Sequence, residues 1–228
     1  MRRYFPHGIN CIGANAADIN AIVASFKAEN PALSANDILS ICETVLKHAQ
    51  YSEEILIGYG LIGHLVKNNF DDDLLLRFQF WLEHYALNWA HVDDLCLKAI
   101  YNFLMARPHL IETTQSWSRS QVCWCRRASN VVWVKFIKRK MGKTVYVLDT
   151  NLVFENCDQL MLDEDEFVQK SVGWLLKVTA VHHQQDVIEY LKRNIHLIQR
   201  STLRYALEKV DADSRKSIMS YSRMSRKS

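Results

Sequence analysis

A tryptophan and a carboxylate stand one helical turn apart in residues 89–93 (Trp-Ala-His-Val-Asp). If these residues begin a helix, Trp89 and Asp93 lie on the same face, because side chains at positions i and i+4 are neighbours. An indole face is the best aromatic partner for a cation, and a carboxylate stabilises positive charge. The pair therefore suits a cationic ligand. Asp94 lies about 100° further round the helix, so one acid of the two faces such a ligand.

Three further patterns combine cations with aromatic residues or with a helix start. Trp124 and Arg127 are one turn apart, and Lys170 and Trp174 stand at i and i+4. Arg204 lies in the first turn of the last predicted helix. Lys170 and Arg204 are candidates for contact with phosphate groups.

Each of these residues also has a structural explanation. Trp89 and Trp174 fit the core of a helical protein, because large aromatic side chains are mostly buried. Asp93 fits an acid in a first helical turn, where the helix dipole favours negative charge. Arg127 can pair with a surface acid, and Arg126 can exchange roles with it.

Positive charge is concentrated in the second half of the chain. Residues 1–110 contain 8 Lys and Arg against 12 Asp and Glu, and residues 111–228 contain 20 against 13, which sum to the net charge of +3. Residues 119–143 carry eight basic side chains and no acid, with three aromatic residues between them. This pattern indicates a polyanionic partner, most often nucleic acid. The alternative is a solvated helix face with a flexible tail.

Composition excludes several classes of protein. The 228 residues include 7 Gly and 3 Pro, which favours helices joined by short turns over a β-rich fold. The chain has no 18-residue apolar run and no apolar stretch at its N-terminus, so we predict neither a membrane span nor a secretory signal. The six cysteines form no disulfide or zinc pattern, which is typical of an intracellular, reducing compartment.

Helical periodicity predicts the elements that position these residues. Ser34, Ser52 and residues 71–73 each precede an amphipathic stretch as a helix start would. Later helices are predicted over residues 92–106, 119–140, 144–160, 164–180, 184–194 and 201–210. The β-like pattern of residues 144–154 is assigned to a helix, because a lone strand would have no partner.

This helix pattern predicts an all-α fold, an α-solenoid of HEAT-like antiparallel helix pairs with a concave face. A compact all-α bundle has the same periodicity and stays an alternative. With no linker-like stretch, we predict one domain over residues 1–211 and a flexible basic tail over residues 212–228.

The four patterns, in this order and spacing, resemble those of the AlkD-type DNA alkylation repair glycosylases, which are built from HEAT-like repeats. That family has Trp-Asp-x-Val-Asp, Trp-x-x-Arg-Ala, Lys-Ala-Ile-Gly-Trp and Ser-x-Arg-Glu-Ala. The similarity runs from about Tyr4 to Lys209. It implies a concave DNA-binding face and excision of N3- or N7-alkylated purines from duplex DNA.

The resemblance also implies roles for individual residues. Asp93 matches the catalytic carboxylate, Trp89 and Trp174 match the lesion-side tryptophans, and Arg127 matches the active-site arginine; we expect these four to line one cleft. Contacts with the DNA backbone are expected from Arg126, Lys135, Lys170 and Arg204. We expect no cofactor and no metal, and a monomer that is intracellular in any case and, if the source is bacterial, lies in the cytoplasm in association with the nucleoid.

The chemistry of the substrate fits a single carboxylate. An alkylated purine is cationic and leaves readily, so the enzyme has to stabilise an oxocarbenium-like sugar and position water. No lysine matches the carboxylate position to form a Schiff base, which favours a monofunctional glycosylase over a lyase. Base chemistry usually requires a flipped nucleotide, whereas the resemblance implies cleavage outside an enclosing pocket.

The sequence also departs from the family pattern. Ala90 replaces the first acid of the first motif, Ser171 and Val172 replace Ala and Ile, and Tyr205 replaces Glu. Residues 14–18 replace basic residues, and we expect that a helix which precedes them in many members is missing. These departures raise the alternative of a non-catalytic HEAT-like module that binds damaged or branched DNA; a protein scaffold is a third, weaker hypothesis.

Overall fold

The computed structural model describes residue 5 and residues 8–224, with the side chains of residues 223 and 224 left out of the description. The predicted all-α class is confirmed, since the described residues form twelve α-helices and one two-stranded sheet. The chain divides into two compact units, residues 1–110 and 111–228. The single domain over residues 1–211 and the concave DNA-binding face stay predictions.

The first unit is built around one central helix. Its elements are α1 (Ala16–Glu29), α2 (Ala35–His48), α3 (Ser52–Ile62), α4 (Leu74–His84), α5 (Trp89–Leu95), a π-helical segment (Cys96–Ile100), α6 (Tyr101–Met105) and a 3₁₀ turn (Pro108–Leu110). Helix α3 packs against α1, α2 and α5. The predicted start of α2 at Ser34 is confirmed: the Asp37 N–H donates to Ser34 Oγ, and Asp37 Oδ2 accepts the Ser34 N–H.

Four buried aromatic rings join helices α3, α4 and α6. Trp81 stacks on Tyr59 with centroids 6.3 Å apart and meets Phe78 edge-on at 5.4 Å. Phe78 in turn meets Phe103 edge-on at 5.5 Å. Edge-to-face pairs of this kind add about 0.5–1.5 kcal/mol each beyond the burial of their area. The helix that carries Trp89 and Asp93 therefore continues into a well-packed core.

The second unit contains six α-helices and a hairpin. Its elements are a 3₁₀ helix (Glu112–Arg119), α7 (Cys123–Trp133), β1 (Lys138–Met141), β2 (Thr144–Val147), α8 (Thr150–Leu160), α9 (Glu166–Thr179), α10 (Gln184–Arg193), α11 (Arg200–Ala206), a 3₁₀ turn (Leu207–Lys209) and α12 (Ala212–Met224). Helix α9 packs against α7, α8 and α11. It is therefore central to this unit, and it carries Lys170 and Trp174.

The helical assignment of residues 144–154 was wrong for its first six residues, because α8 starts at Thr150. Residues 144–147 form β2, which pairs antiparallel with β1, so that Lys138 faces Val147 and Met141 faces Thr144. The strand has a partner because residues 138–141 do not continue the predicted helix over 119–140. Gly142 has φ +60° at the turn, a conformation that glycine adopts at little cost.

Other helix boundaries in the structure also differ from the predicted ones. The helix expected from residue 92 starts at Trp89, because Asn88 caps it. The predicted helix over 119–140 is broken by extended backbone at Ser120. Residues 212–224, expected as part of a flexible tail, form α12, in which Ile218 is buried. The remaining tail residues 225–228 lie outside the described residues.

Helices α9 and α11 approach each other closely at Gly173. A Cβ built on Gly173 would lie 3.0 Å from the Thr202 carbonyl oxygen and 3.2 Å from the Tyr205 side chain. The Tyr205 ring also lies 4.6 Å from the Lys177 ammonium of α9. The glycine before Trp174 therefore sets the spacing between these two helices.

Gly173→Ala is expected to lower the free energy of unfolding by about 1–3 kcal/mol, because backbone at Thr202 has to move to admit the methyl group. The control is Gly63→Ala, where the nearest atoms to the new Cβ would be 3.6 Å away. Urea unfolding of both variants measures the difference. Equal stability of both variants and the unsubstituted protein would contradict the close approach.

Candidate functional site

The start of α5 places Trp89 and Asp93 on one helical face. The Asn88 side-chain oxygen accepts hydrogen bonds from the N–H groups of Ala90 at 2.9 Å and His91 at 3.1 Å. The helix therefore starts at Trp89, and Asp93 follows one turn later. Both side chains are partly exposed, so neither is enclosed in the core. A π-helical segment begins three residues after Asp93, a deviation often found at functional sites.

The neighbouring acid, Asp94, has a different environment. Its carboxylate forms a salt bridge with Lys98 one turn later, and it lines a groove between α5, α1 and α3. Because successive helix residues differ by about 100° in direction, Asp93 does not share this position, and it is absent from the lining of that groove. The structure thus gives different environments to two acids that the sequence separated through the family resemblance.

A buried histidine fixes α5 to α3. His91 is fully buried; its Nδ1 accepts the Leu87 N–H at 3.2 Å, which leaves the proton of the neutral ring on Nε2. Nε2 lies 2.6 Å from Ser52 Oγ, the first residue of α3. Burial lowers the pKa of His91 to about 4, against smaller opposing effects of Ser52 and Glu53. Sequence analysis did not identify His91 as a positioning residue, because a single histidine within a helix has no distinctive sequence pattern.

The segment before α1 is held against the same region. The buried carboxylate of Glu53 accepts the N–H groups of Ile12 at 3.1 Å and Gly13 at 2.8 Å. Burial alone would raise the pKa of Glu53, but these backbone N–H groups lower it below its usual value. Phe5 stacks on Trp89, with ring centroids 5.7 Å apart and planes 19° from parallel. One face of the predicted lesion-side indole is therefore in contact with Phe5.

The replaced residues 14–18 have a structural role in this protein. The Asn15 side-chain oxygen accepts the N–H of Asp18 at 3.2 Å, and the Asp18 carboxylate accepts the Asn15 N–H at 2.9 Å. This reciprocal pair is a capping box that starts α1. Where the family has basic residues, this chain has a helix start.

In the second unit, Arg127 and Trp174 differ in exposure. Arg127 is 5% exposed, and its Nη1 donates to the Phe167 carbonyl oxygen at 2.6 Å, in the first turn of α9. Trp174 lies on the same helix and is partly exposed. Arg127 and α9 are thus brought together. The prediction that Trp89, Asp93, Arg127 and Trp174 line one cleft stays a prediction.

Arg126 is engaged in an ion pair and in holding a turn. Its guanidinium binds the Asp163 carboxylate through two hydrogen bonds, of 2.6 and 3.1 Å, and Nη1 donates to the carbonyl oxygens of Ser120 and Gln121. The pair with Asp163 raises the pKa of Arg126 further above its usual value. A DNA phosphate at Arg126 would have to compete with this carboxylate, so its predicted backbone contact stays a prediction.

A buried polar network connects α7, α8 and α9. Asn130 donates to Ser171 Oγ at 2.9 Å, and Asn156 donates to Asn130 Oδ1 at 2.8 Å. All three side chains are fully buried, where an unpaired polar group costs about 1–3 kcal/mol. Ser171, which replaces a family alanine, is therefore the acceptor that Asn130 requires.

The other predicted backbone contacts are exposed. Lys135, Lys170 and Arg204 all lie at the surface of the second unit. Lys170 pairs with Glu166 at 2.9 Å and lies 4.4 Å from the Phe167 ring centroid. Burial, and then the charge of Arg139, lower the pKa of Lys135 below its usual value.

The hairpin adds basic residues that the sequence assigned to a helix. Lys138 and Lys140 share one face of the hairpin with Val145 and Val147, because cross-strand partners point the same way. All four side chains are exposed. This outward face, called the hairpin face below, is an extended positive surface.

Across the described part of the chain, no group of three or more His, Cys, Asp or Glu side chains is arranged to hold a metal ion. None of the described helices is long and apolar enough to cross a membrane.

The chain is similar to known proteins in sequence pattern and in fold. A family model described as "DNA alkylation repair enzyme" matches residues 1–210. A predicted DNA alkylation repair enzyme from Enterococcus faecalis has a TM-score of 0.77 at 17% identity, covering 93% of each chain. AlkD2 from Streptococcus mutans has a TM-score of 0.63 at 18% identity, covering 88% of this chain and 93% of its own. No curated protein matches significantly.

Between pH 7 and pH 5, the His91 site is expected to lower the free energy of unfolding by about 2 kcal/mol. The unfolded chain binds this proton below the ordinary pKa of about 6.5, whereas the folded chain excludes it until about pH 4, so stability is lost as the pH falls. Urea unfolding at both pH values, with His91→Gln as comparison, measures the effect. An equally steep pH dependence in His91→Gln would contradict it.

Proposed function

Because this chain belongs to the DNA alkylation repair enzyme family, we propose that it is a monofunctional DNA glycosylase. Its substrate is a cationic N3- or N7-alkylated purine in double-stranded DNA, and its reaction is hydrolysis of the N-glycosidic bond. One observation carries the proposal: Trp89 and Asp93 stand together on a partly exposed face of α5, while Asp94 is paired with Lys98.

The leaving base in the proposed reaction needs little assistance from the enzyme. The bond between C1′ and the purine nitrogen breaks, and its electron pair neutralises the positively charged base. Positive charge then develops on the sugar, where the Asp93 carboxylate stabilises it. Water forms the new bond to C1′ and gives its proton to Asp93, from which the proton passes to solvent.

The two tryptophans are proposed to contact the substrate. Each presents a partly exposed indole, and an indole face attracts a cation by about 0.5–2 kcal/mol. Phe5 stacks on one face of Trp89, so a lesion that contacts the indole on that face would have to displace Phe5. The hydrogen bond from Arg127 to the Phe167 carbonyl supports a positioning role for Arg127, which holds the first turn of the helix that carries Trp174.

The second unit is proposed to supply most of the grip on the DNA backbone. Lys135, Lys170 and Arg204 are exposed, and the hairpin face adds Lys138 and Lys140. Each phosphate that a lysine or arginine neutralises releases counterions, which favours binding at low salt. The net charge of +7 over residues 111–228 supports this assignment.

A non-catalytic module that binds damaged or branched DNA is the second candidate. It is favoured by the burial of Arg127, the predicted active-site arginine, because one of its guanidinium N–H groups already donates to the Phe167 carbonyl oxygen. Under this alternative the exposed cations bind DNA and no base is released. An assay of base release beside a binding titration separates the two candidates.

Asp93→Asn is expected to reduce the release of 7-methylguanine or 3-methyladenine from methylated duplex DNA by about 100-fold or more, because the charge that stabilises the sugar is removed. The substitution keeps the size of the side chain, so DNA binding should persist. Chromatography of the released bases measures the rate.

The matched control is Asp94→Asn, one residue away on the same helix, which is expected to lose far less activity. Release that is unchanged in Asp93→Asn, or lost in Asp94→Asn alone, would overturn the assignment of Asp93.

The double substitution Lys138→Gln and Lys140→Gln is expected to weaken duplex binding and to lower the slope of log K against log salt by up to about 2. Lys47→Gln with Lys67→Gln removes the same charge from exposed positions of the first unit and is the control. Titrations at two salt concentrations measure both slopes. Equal slopes for the two double variants would exclude the hairpin face from the contact surface.

A further inference from the structure

A groove in the first unit has no part in the proposed reaction. It lies between α1, α3 and the stretch from α5 to α6, with a volume of about 520 Å³. That volume is within the usual range for small-molecule sites, about 300–1,000 Å³. Asp93 and Trp89 are not among the residues that line it.

The floor of the groove is apolar and contains two glycines. Ile19, Val23 and Ala99 are buried beneath it. A Cβ on Gly60 would lie 2.8 Å from Val23 Cγ2, so this glycine allows α1 and α3 to pack closely. At Gly63 the nearest atoms to a Cβ would be carbonyl oxygens of α3 itself, at 3.6 and 3.7 Å, which leaves room for a side chain there.

Two basic side chains line the groove without a partner among the described residues. Lys27 of α1 and His64, just after α3, form no hydrogen bond or salt bridge with the described part of the chain. Burial lowers the pKa of Lys27. Burial, and then the charge of Lys27, lower the pKa of His64. The charge of Lys27 disfavours the charged form of His64, and an anion placed between the two side chains would stabilise both positive charges.

The remaining charged groups of the groove do not cancel this positive character. Asp94 is the acid of the lining, and it is already paired with Lys98. The amides of Asn20 and Asn102 add neutral donors, and the Asn102 amide lies 3.3 Å from the Gly63 carbonyl oxygen. The groove therefore offers an ammonium, an imidazole and two amides above an apolar floor.

We propose that this groove binds the phosphate group of a phosphate ester, with Lys27 and His64 on the phosphate and the apolar floor beneath its organic part. A phosphate has three or four acceptor oxygens, which matches two basic groups and two amides better than the two oxygens of a carboxylate. The phosphate comes either from a free nucleotide or from the DNA backbone. The site depends on neither Asp93 nor base release.

The first test follows His64 by NMR while inorganic phosphate or adenosine 5′-monophosphate is added, with sodium chloride at matched ionic strength as control. Either phosphate is expected to raise the pKa of His64, and chloride is not. Lys27→Gln is expected to weaken the binding of the phosphate probe by about tenfold, because a charge-assisted hydrogen bond is lost. In the absence of phosphate, Lys27→Gln should itself raise the pKa of His64.

Matched variants separate the groove from general charge. Lys67→Gln removes a lysine from the same unit outside the groove and should leave phosphate binding unchanged. Gly63→Leu changes no charge but fills the groove, and it should abolish the shift of His64 while circular dichroism stays that of the unsubstituted protein.

A third arm uses unmodified duplex DNA to identify the source of the phosphate. If Lys27→Gln and Gly63→Leu weaken duplex binding about tenfold, the ligand is a backbone phosphate. If they weaken only the mononucleotide, the ligand is a free nucleotide. If neither phosphate probe nor duplex shifts His64, or if Lys67→Gln acts as Lys27→Gln does, the proposal is overturned. None of these readouts depends on base release, so they stand apart from the test of the glycosylase.

Discussion

The buried contact between His91 and Ser52 is the constraint on which the candidate site depends. The neutral imidazole of His91 in α5 lies 2.6 Å from the hydroxyl of Ser52, the first residue of α3. The same ring accepts the Leu87 N–H. Asn88 caps the helix at the same point. Together these bonds fix where α5 begins and which way it faces, and so determine that Trp89 and Asp93 share a partly exposed face while Asp94 turns toward a different groove. Two carboxylates that are adjacent in sequence thereby acquire different environments, as acids of different roles commonly do.

The second unit is organised by α9 in the same way. Gly173 allows this helix to pack closely on α11, and the bonds from Arg127 to the Phe167 carbonyl and from Asn130 to Ser171 join it to α7. Buried polar bonds of this kind favour one arrangement of the packed helices, because another arrangement would leave a buried polar group unpaired and lower the stability of the fold. They also explain a departure from the family pattern: Ser171 is present because Asn130 needs an acceptor. The rigid helix carries Lys170 and Trp174 outward, and the hairpin face adds its lysines to the basic surface of this unit.

The sequence predicted the helical class, several helix starts and the family, because these depend on local patterns: periodicity, capping residues and short motifs. It could not predict the hairpin, since β2 becomes plausible only once residues 138–141 are known to leave the helix. The family motif selected Asp93 over Asp94, but the physical difference between the two acids could not be predicted, because it comes from Lys98 and from the packing of α1 and α3. The bonds from Arg126 to Asp163 and from Arg127 to the Phe167 carbonyl, each across about 40 residues, were not predicted, and the ligand contacts predicted for both arginines stay predictions. Long-range polar contacts of this kind leave no local signal.

We propose that Asp93 stabilises the sugar cation as the glycosidic bond of an alkylated purine breaks. A single-turnover measurement tests this reaction. With the protein in excess over a duplex that carries 7-methylguanine, the account predicts release of the free base well above spontaneous depurination, ending when every lesion is consumed. A release rate equal to that of the duplex alone, under conditions where binding is saturated, would contradict it.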